Sequence, residues 1–234
     1  MPKPLGVIAW LFGLFLLIIL IQYPMQETMD SSQTWSLPLA GKTIVIDPGH
    51  GGADGGAKGS DQTEEKEIAL IVSQHIRDYL QQAGAIVYLT REGDYDLAEA
   101  ETQGLSRRKT EDIHNRVAFI KDKEADLFLS IHLNALPDKQ WRGAQTFYHP
   151  RQETNKQLAV AIQSEIKRNL ENTTREALAI EQIYLLKHSE TTGALVEIGF
   201  LSNEEERKLL QSADYQRQMA ASIYEGILQY VTSE

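Results

Sequence analysis

The chain has 234 residues, which is enough for one domain with a full hydrophobic core and an appendage, and too few for two domains of ordinary size. Its net charge is −10, and an acidic protein repels phosphate backbones, which argues against a nucleic-acid partner. The sequence contains no cysteine, so disulfides, thiolate zinc ligands and a thiol nucleophile are excluded.

The first 26 residues contain a long apolar run. Residues 4–21 carry no charge, and the run is close to the roughly 20 residues that a bilayer core requires of a helix. No small-x-small motif follows closely, so we expect an uncleaved membrane anchor rather than a cleaved signal peptide. Lys3 precedes the run and the acidic Glu27 and Asp30 follow it, and this charge distribution predicts that the rest of the chain lies outside the cytoplasm.

Residues 27–40 are polar and contain Pro38 and several serines and threonines, as is typical of a tether. The folded domain is predicted over residues 41–234. Strands are predicted at 42–47, 85–90, 126–134, 143–148 and 194–200. Helices are predicted at 65–83, 106–124 and 154–170, with one or two more over 203–230. This order predicts one α/β domain with a mostly parallel, twisted sheet flanked by helices.

Four side chains with metal-binding or acid–base chemistry lie at or near the predicted strand ends. His50 follows the first strand, His132 and Glu197 lie within two later strands, and Glu65 opens the first helix of the domain. Open α/β sheets place their chemistry at the carboxyl ends of strands. Two imidazoles and one carboxylate are ligands of a catalytic zinc that keeps a position for water, and a second carboxylate can then move the proton. The pattern predicts metal-dependent hydrolysis of an amide.

His50, His132 and Glu197 also have structural alternatives, and one further candidate has two interpretations. His50 lies in a glycine-rich turn of the kind that binds phosphate, although neither G-x-x-x-x-G-K-[ST] nor G-x-G-x-x-G is present. His132 is equally consistent with a hydrogen-bonded core histidine. Glu197 is flanked by apolar residues, and its burial is costly without a partner or a cation. Arg116, on the helix at 106–124, either binds a substrate carboxylate or forms a surface ion pair.

Four segments resemble the motif blocks of the zinc-dependent N-acetylmuramoyl-L-alanine amidases of the amidase-3 family. They are IVIDPGHGG (44–52), EEKEIAL (64–70), SIHLNA (130–135) and ALVEIGFLSN (194–203). The resemblance spans residues 42–231 and implies the amidase activity of the family.

The resemblance also implies a site. One Zn²⁺ ion would be bound by His50, Glu65 and His132, with Glu197 as the catalytic residue. Glu64 lies directly before Glu65, and we assign Glu65 because the Lys-Glu pair after it then falls where the family has its own.

Three shorter segments are most similar to germination-specific members of the family, namely SRRKTED (106–112), NLENTTR (169–175) and IYLLKH (183–188). This implies cleavage between the lactyl group of N-acetylmuramic acid and L-alanine in peptidoglycan, in the formation of muramic δ-lactam in spore cortex and in germination. The same resemblance implies that the domain lies in the intermembrane space of the forespore. The sequence identifies no activating partner. The alternatives are a zinc peptidase that cuts within the stem peptide and a catalytically inactive, membrane-tethered protein that binds the cell wall.

Overall fold

The structure is a computed structural model that describes residues 4–22 and 37–233. The chain divides into two compact units, residues 1–36 and 37–234. The first unit contains helix α1 (Pro4–Gln22), which coincides with the apolar run. Across the described residues, no helix combines the length and the apolar character needed to cross a membrane. The anchor predicted at 1–26 stays a prediction, and most of the tether predicted at 27–40 lies outside the described residues.

Within residues 37–233, the second unit is a six-stranded sheet with helices on both faces. The strands are β1 (Thr43–Pro48), β2 (Ile86–Leu89), β3 (Leu127–Asn134), β4 (Gln145–Tyr148), β5 (Leu178–Ala179) and β6 (Thr192–Phe200). The helices are α2 (Glu65–Gln82), α3 (Leu105–Asp122), α4 (Glu153–Leu170), α5 (Tyr184–His188), α6 (Glu204–Leu210) and α7 (Ala213–Thr232). The prediction of a single α/β domain is confirmed. Strand β5 and helix α5 were not predicted, because elements this short show no periodicity.

The strands are ordered β2-β1-β3-β6-β4-β5. Strands β2, β1, β3 and β6 are mutually parallel, whereas β4 runs antiparallel to β6 and β5 runs parallel to β4. The sheet is therefore mixed, with a parallel central part. The reversal at β4 has a simple cause, because β3 and β4 are joined by residues 135–144 alone, and a parallel crossover requires a dozen or more residues.

Alternation along the central strands divides their side chains between two faces. Ile46 and Leu129 belong to the larger core, which α2, α4 and α7 cover. Phe128 and Leu195 belong to a smaller core, to which α3 and α5 contribute. The smaller core leaves the carboxyl ends of β1, β3 and β6 accessible on that face.

A buried ion pair holds the carboxyl end of β1. Arg116 on α3 donates through Nη1 to Asp47 Oδ1 (2.6 Å) and through Nε to Asp112 (2.9 Å). Asp47 also accepts hydrogen bonds from Thr90 Oγ1 (2.7 Å), just after β2, and from Ser130 Oγ (2.6 Å) on β3. Burial by itself raises the pKa of Asp47, but the Arg116 charge and these hydrogen bonds outweigh it and lower that pKa. Three strands and a helix are joined at one carboxylate.

Arg116 was expected to face a substrate carboxylate or to form a surface ion pair, and the structure corrects both expectations. The side chain is 2% exposed, and its remaining contacts are the carbonyls of Pro48 (2.8 Å) and His50 (2.6 Å). The physical reason is burial: a guanidinium inside a protein is stable only when its donors are satisfied there. Its internal partners make Arg116 a support for the turn after β1.

Replacing Arg116 with Met should destabilise the fold. The change leaves the Asp47 charge buried without its cation, so we expect the free energy of unfolding in urea to fall by about 3–5 kcal/mol. Arg77→Met is the matched control, because Arg77 pairs with the half-exposed Asp78 on the helix surface and its loss should cost less than about 1 kcal/mol. Equal losses in the two variants would contradict this account.

Candidate active site

The three predicted metal ligands meet at the carboxyl end of the sheet. His50 lies in the turn after β1, Glu65 is the first residue of α2, and His132 lies near the end of β3. One ligand atom from each residue lies within 4.8 Å of the others. His132 Nδ1 is 2.8 Å from Glu65 Oε1, and His50 Nε2 is 3.2 Å from Glu65 Oε2. The structure therefore brings together three residues that are far apart in the sequence.

Glu65 is held firmly, and Glu64 points elsewhere. The Glu65 side chain is 3% exposed and accepts backbone hydrogen bonds from Ala57 (2.7 Å) and Leu133 (2.8 Å). Burial raises the pKa of Glu65, but hydrogen bonds and charge from the two histidines outweigh this and hold it well below the usual range. Glu64 pairs with Lys58 at 2.6 Å. Of the acidic doublet, Glu65 is the residue placed in the cluster.

The glycines of the turn make room for the ligands. A Cβ atom on Gly49 would lie 2.4 Å from His132 Cε1. A Cβ atom on Gly56, whose φ is +70°, would lie 2.5 Å from Glu65 Oε2. No real Cβ contact is this short, so any larger residue would displace a ligand side chain. Space for these side chains therefore accounts for Gly49 and Gly56.

Asp54, which no sequence motif identified, orients His50. Asp54 Oδ2 is 2.8 Å from His50 Nδ1, and Oδ1 pairs with Lys109 at 2.8 Å. Nε2 of His50 is thereby left to face the cluster, as when a carboxylate binds the second nitrogen of a metal-ligating histidine. Burial lowers the pKa of His50, but Asp54 and Glu65 outweigh burial and raise it to about 9. The only sequence signal was an acid four residues after a candidate ligand.

Glu197 lies beside the cluster on β6. Its backbone is in register with His132 on β3, so the two side chains project from the same face of the sheet. Glu197 Oε2 is buried and has no hydrogen-bond partner among the described residues. Burial and then the negative charge of Glu65 raise the pKa of Glu197 to about 7, against the opposing effect of His132 and His50. A carboxylate with a pKa near neutrality is suited to accept and return a proton.

A pocket of about 350 Å³ contains these groups. His50, His132 and Glu197 line this pocket together with an apolar wall. The wall consists of Ile113 from α3, Ile183 and Leu185 at α5, and Leu195 from β6. Helix α5 thus completes the site, although no helical periodicity predicted it.

The site fits a divalent metal ion. Two imidazoles and one carboxylate form the donor set typical of catalytic zinc, with a coordination position left for water. The clearances at Gly49 and Gly56 leave room for those side chains, and the unpartnered Glu197 oxygen belongs to a residue that lines the same pocket as His50 and His132.

Comparisons with known proteins agree with this geometry. The family model described as N-acetylmuramoyl-L-alanine amidase matches residues 44–229, which confirms the resemblance drawn from four short segments. The chain is 50% identical over 234 residues to the germination-specific N-acetylmuramoyl-L-alanine amidase of Bacillus subtilis (strain 168), covering 100% of this chain and 98% of that protein. It is 33% identical to the amidase LytC of the same organism over 82% of this chain and 36% of LytC.

A solved structure is similar as well. The CwlD amidase from Clostridioides difficile, in complex with the GerS lipoprotein, matches with a TM-score of 0.81 and 40% identity over 82% of this chain and 100% of that chain. The family model alone covers most of the folded unit. The chain therefore belongs to the N-acetylmuramoyl-L-alanine amidase family.

Proposed function

We propose that this protein is a zinc-dependent amidase that hydrolyses the bond between the lactyl group of N-acetylmuramic acid and L-alanine in peptidoglycan. The observation that carries the proposal is Glu197, a carboxylate with a buried oxygen that lacks a partner among the described residues. It shares a pocket with His50 and His132 and has a pKa raised to about 7 by burial. Most buried polar atoms in proteins have a partner, so an unpartnered carboxylate oxygen on a residue that lines the pocket supports a chemical role.

His50, Glu65 and His132 would hold the metal ion. When bound there, a divalent cation supplies Lewis-acid stabilisation of the negative charge that develops on the amide oxygen. Glu197 accepts a proton from the attacking water as the new C–O bond forms, and returns it to the alanine nitrogen as the C–N bond breaks. The products are a lactyl carboxylate and a free amino terminus on the peptide.

We further propose a role in maturation of the spore cortex, through muramic δ-lactam, and in germination. The name of the Bacillus subtilis relative, germination-specific amidase, supports this role, because that protein matches over the full length of this chain. The Clostridioides difficile neighbour was solved with the GerS lipoprotein, which supports a protein partner for this chain too. We place the catalytic domain, residues 41–234, outside the cytoplasm. In a sporulating cell this is the space between the forespore membranes. Residues 1–26 would be the membrane anchor and residues 27–40 the tether. The uncharged apolar run at 4–21 supports this arrangement.

Mass analysis of digested muropeptides separates this function from its alternatives. An amidase leaves free lactyl carboxyl groups and intact peptides. A zinc peptidase would shorten the stem peptide and leave the lactyl amide, and an inactive wall-binding protein would release nothing.

Replacing Glu197 with Gln should abolish turnover while metal binding is kept. The amide cannot accept the proton from water, so we expect kcat to fall by about 10²–10⁴-fold. Peptide release and metal content are measured on the same preparation. Glu205→Gln is the control, since that side chain is 82% exposed in the first turn of α6 and the change should leave the rate unchanged. A Glu197→Gln protein that keeps more than about a tenth of wild-type turnover would exclude Glu197 as the general base.

Replacing His132 with Ala should instead remove the metal. One of three protein ligands is lost, so we expect zinc affinity to fall by more than about 100-fold and activity to fall with it. Metal content after dialysis, measured by mass spectrometry, reports the loss. His75→Ala is the control, because His75 lies on α2 outside the cluster. Stoichiometric zinc in the His132→Ala protein would refute the assigned ligand set.

A further inference from the structure

One face of α3 lines the pocket beside the metal cluster. The residues on this face are Lys109, Asp112, Ile113 and Arg116, which follow helical spacing. The exposure of the charged side chains rises toward the start of the helix, from 2% at Arg116 through 13% at Asp112 to 47% at Lys109. Arg116 thus forms part of the floor of the pocket, and Lys109 stands at its rim.

The charged residues that line the pocket are mostly acidic. The acidic residues among those described around it are Asp47, Asp54, Asp112 and Glu197. The lysine and arginine residues that line it, among the residues that the structure describes, are Lys109 and Arg116. The hydrogen bonds of Arg116 all go to internal partners. Lys109 is consequently the cation of this lining that an entering ligand can reach.

The Lys109 ammonium also lies close to the reaction centre. Nζ is 2.8 Å from Asp54 Oδ1, and Asp54 Oδ2 is 2.8 Å from His50 Nδ1. Because both contacts are made by the same Asp54 carboxylate, the ammonium lies within about 8 Å of the imidazole. A lysine ammonium has three N–H donors, so the contact with Asp54 leaves donors for a second acceptor.

We propose that Lys109 is a specificity residue that binds a free carboxylate on the residue next to L-alanine in the stem peptide. The inference rests on the proposed amidase function. An extended residue spans about 3.3–3.6 Å, so a carboxylate one residue beyond the scissile amide lies within reach of the ammonium when the amide is at the metal cluster. Apart from the internally bonded Arg116, the other charged residues of the described lining are acidic and do not attract that carboxylate. A peptide amidated at this position lacks the interaction.

The test compares two muropeptides that differ only in whether the α-carboxyl of the second peptide residue is free or amidated. The measured quantity is the ratio of their kcat/KM values with the full-length, zinc-loaded protein. For a half-exposed pair of charges we expect the wild type to prefer the free carboxylate by about five- to tenfold. Lys109→Gln should bring the ratio to about one, and Lys109→Arg should keep a preference. Lys121→Gln is the control, on the same helix but outside the pocket, and should leave the ratio unchanged.

A wild-type ratio near one, or a ratio that Lys109→Gln does not change, would overturn the inference. So would an equal loss of activity on both substrates accompanied by loss of zinc, because Lys109 would then act only by holding Asp54 against His50. If the wild-type protein releases no peptide from either substrate, the proposed amidase function itself fails, and this result is distinct from a cleaved pair without preference.

Discussion

The turn that follows β1 is held in one conformation by buried hydrogen bonds, and the site is built around it. Three successive carbonyls, those of Pro48, Gly49 and His50, accept hydrogen bonds from two buried guanidinium groups, Arg91 and Arg116. A cation inside a protein is stable only with its donors satisfied, so these arginines constrain the turn strongly. The constraint matters because His50 adopts a φ of +59°, a conformation that a residue other than glycine rarely takes. The cost of that conformation is offset by the surrounding contacts.

A turn held in this way arranges the proposed metal ligands through contacts within the protein alone. His50 is aimed by Asp54, and Glu65 is fixed by two backbone N–H donors. The ring of His132 packs where a side chain on residue 49 would otherwise lie. Each ligand comes from a different element, and each is held by a contact that does not involve the metal. Such preorganisation fixes the coordination geometry that a site offers to an ion, and it limits how far the side chains must move when the ion binds.

The two carboxylates of the site differ because their surroundings differ. Glu65 has two histidines and two backbone donors, so its pKa is lowered and it remains an anion, as the proposed ligand role requires. Glu197 has an oxygen with no donor in the described part of the chain and stands near an apolar wall, so burial raises its pKa to about 7. Pairs of acids that the protein separates in this way commonly take different roles, one structural or electrostatic and one in proton transfer.

The sequence by itself determined the α/β class, the parallel central strands and the set of residues that form the cluster. Strand and helix periodicity are local properties, and the strand ends carrying His50, His132 and Glu197 meet at one edge of any parallel sheet. Only the tertiary structure decided the reversal of β4, the covering of the site by α5, the role of Asp54 and the internal position of Arg116. Each of these depends on contacts between residues distant in the chain, or on elements too short for a periodic signal. For Arg116 in particular, a helical arginine has the same local sequence whether it faces a substrate or a buried aspartate. Burial and the partners that the fold supplies decide between the two.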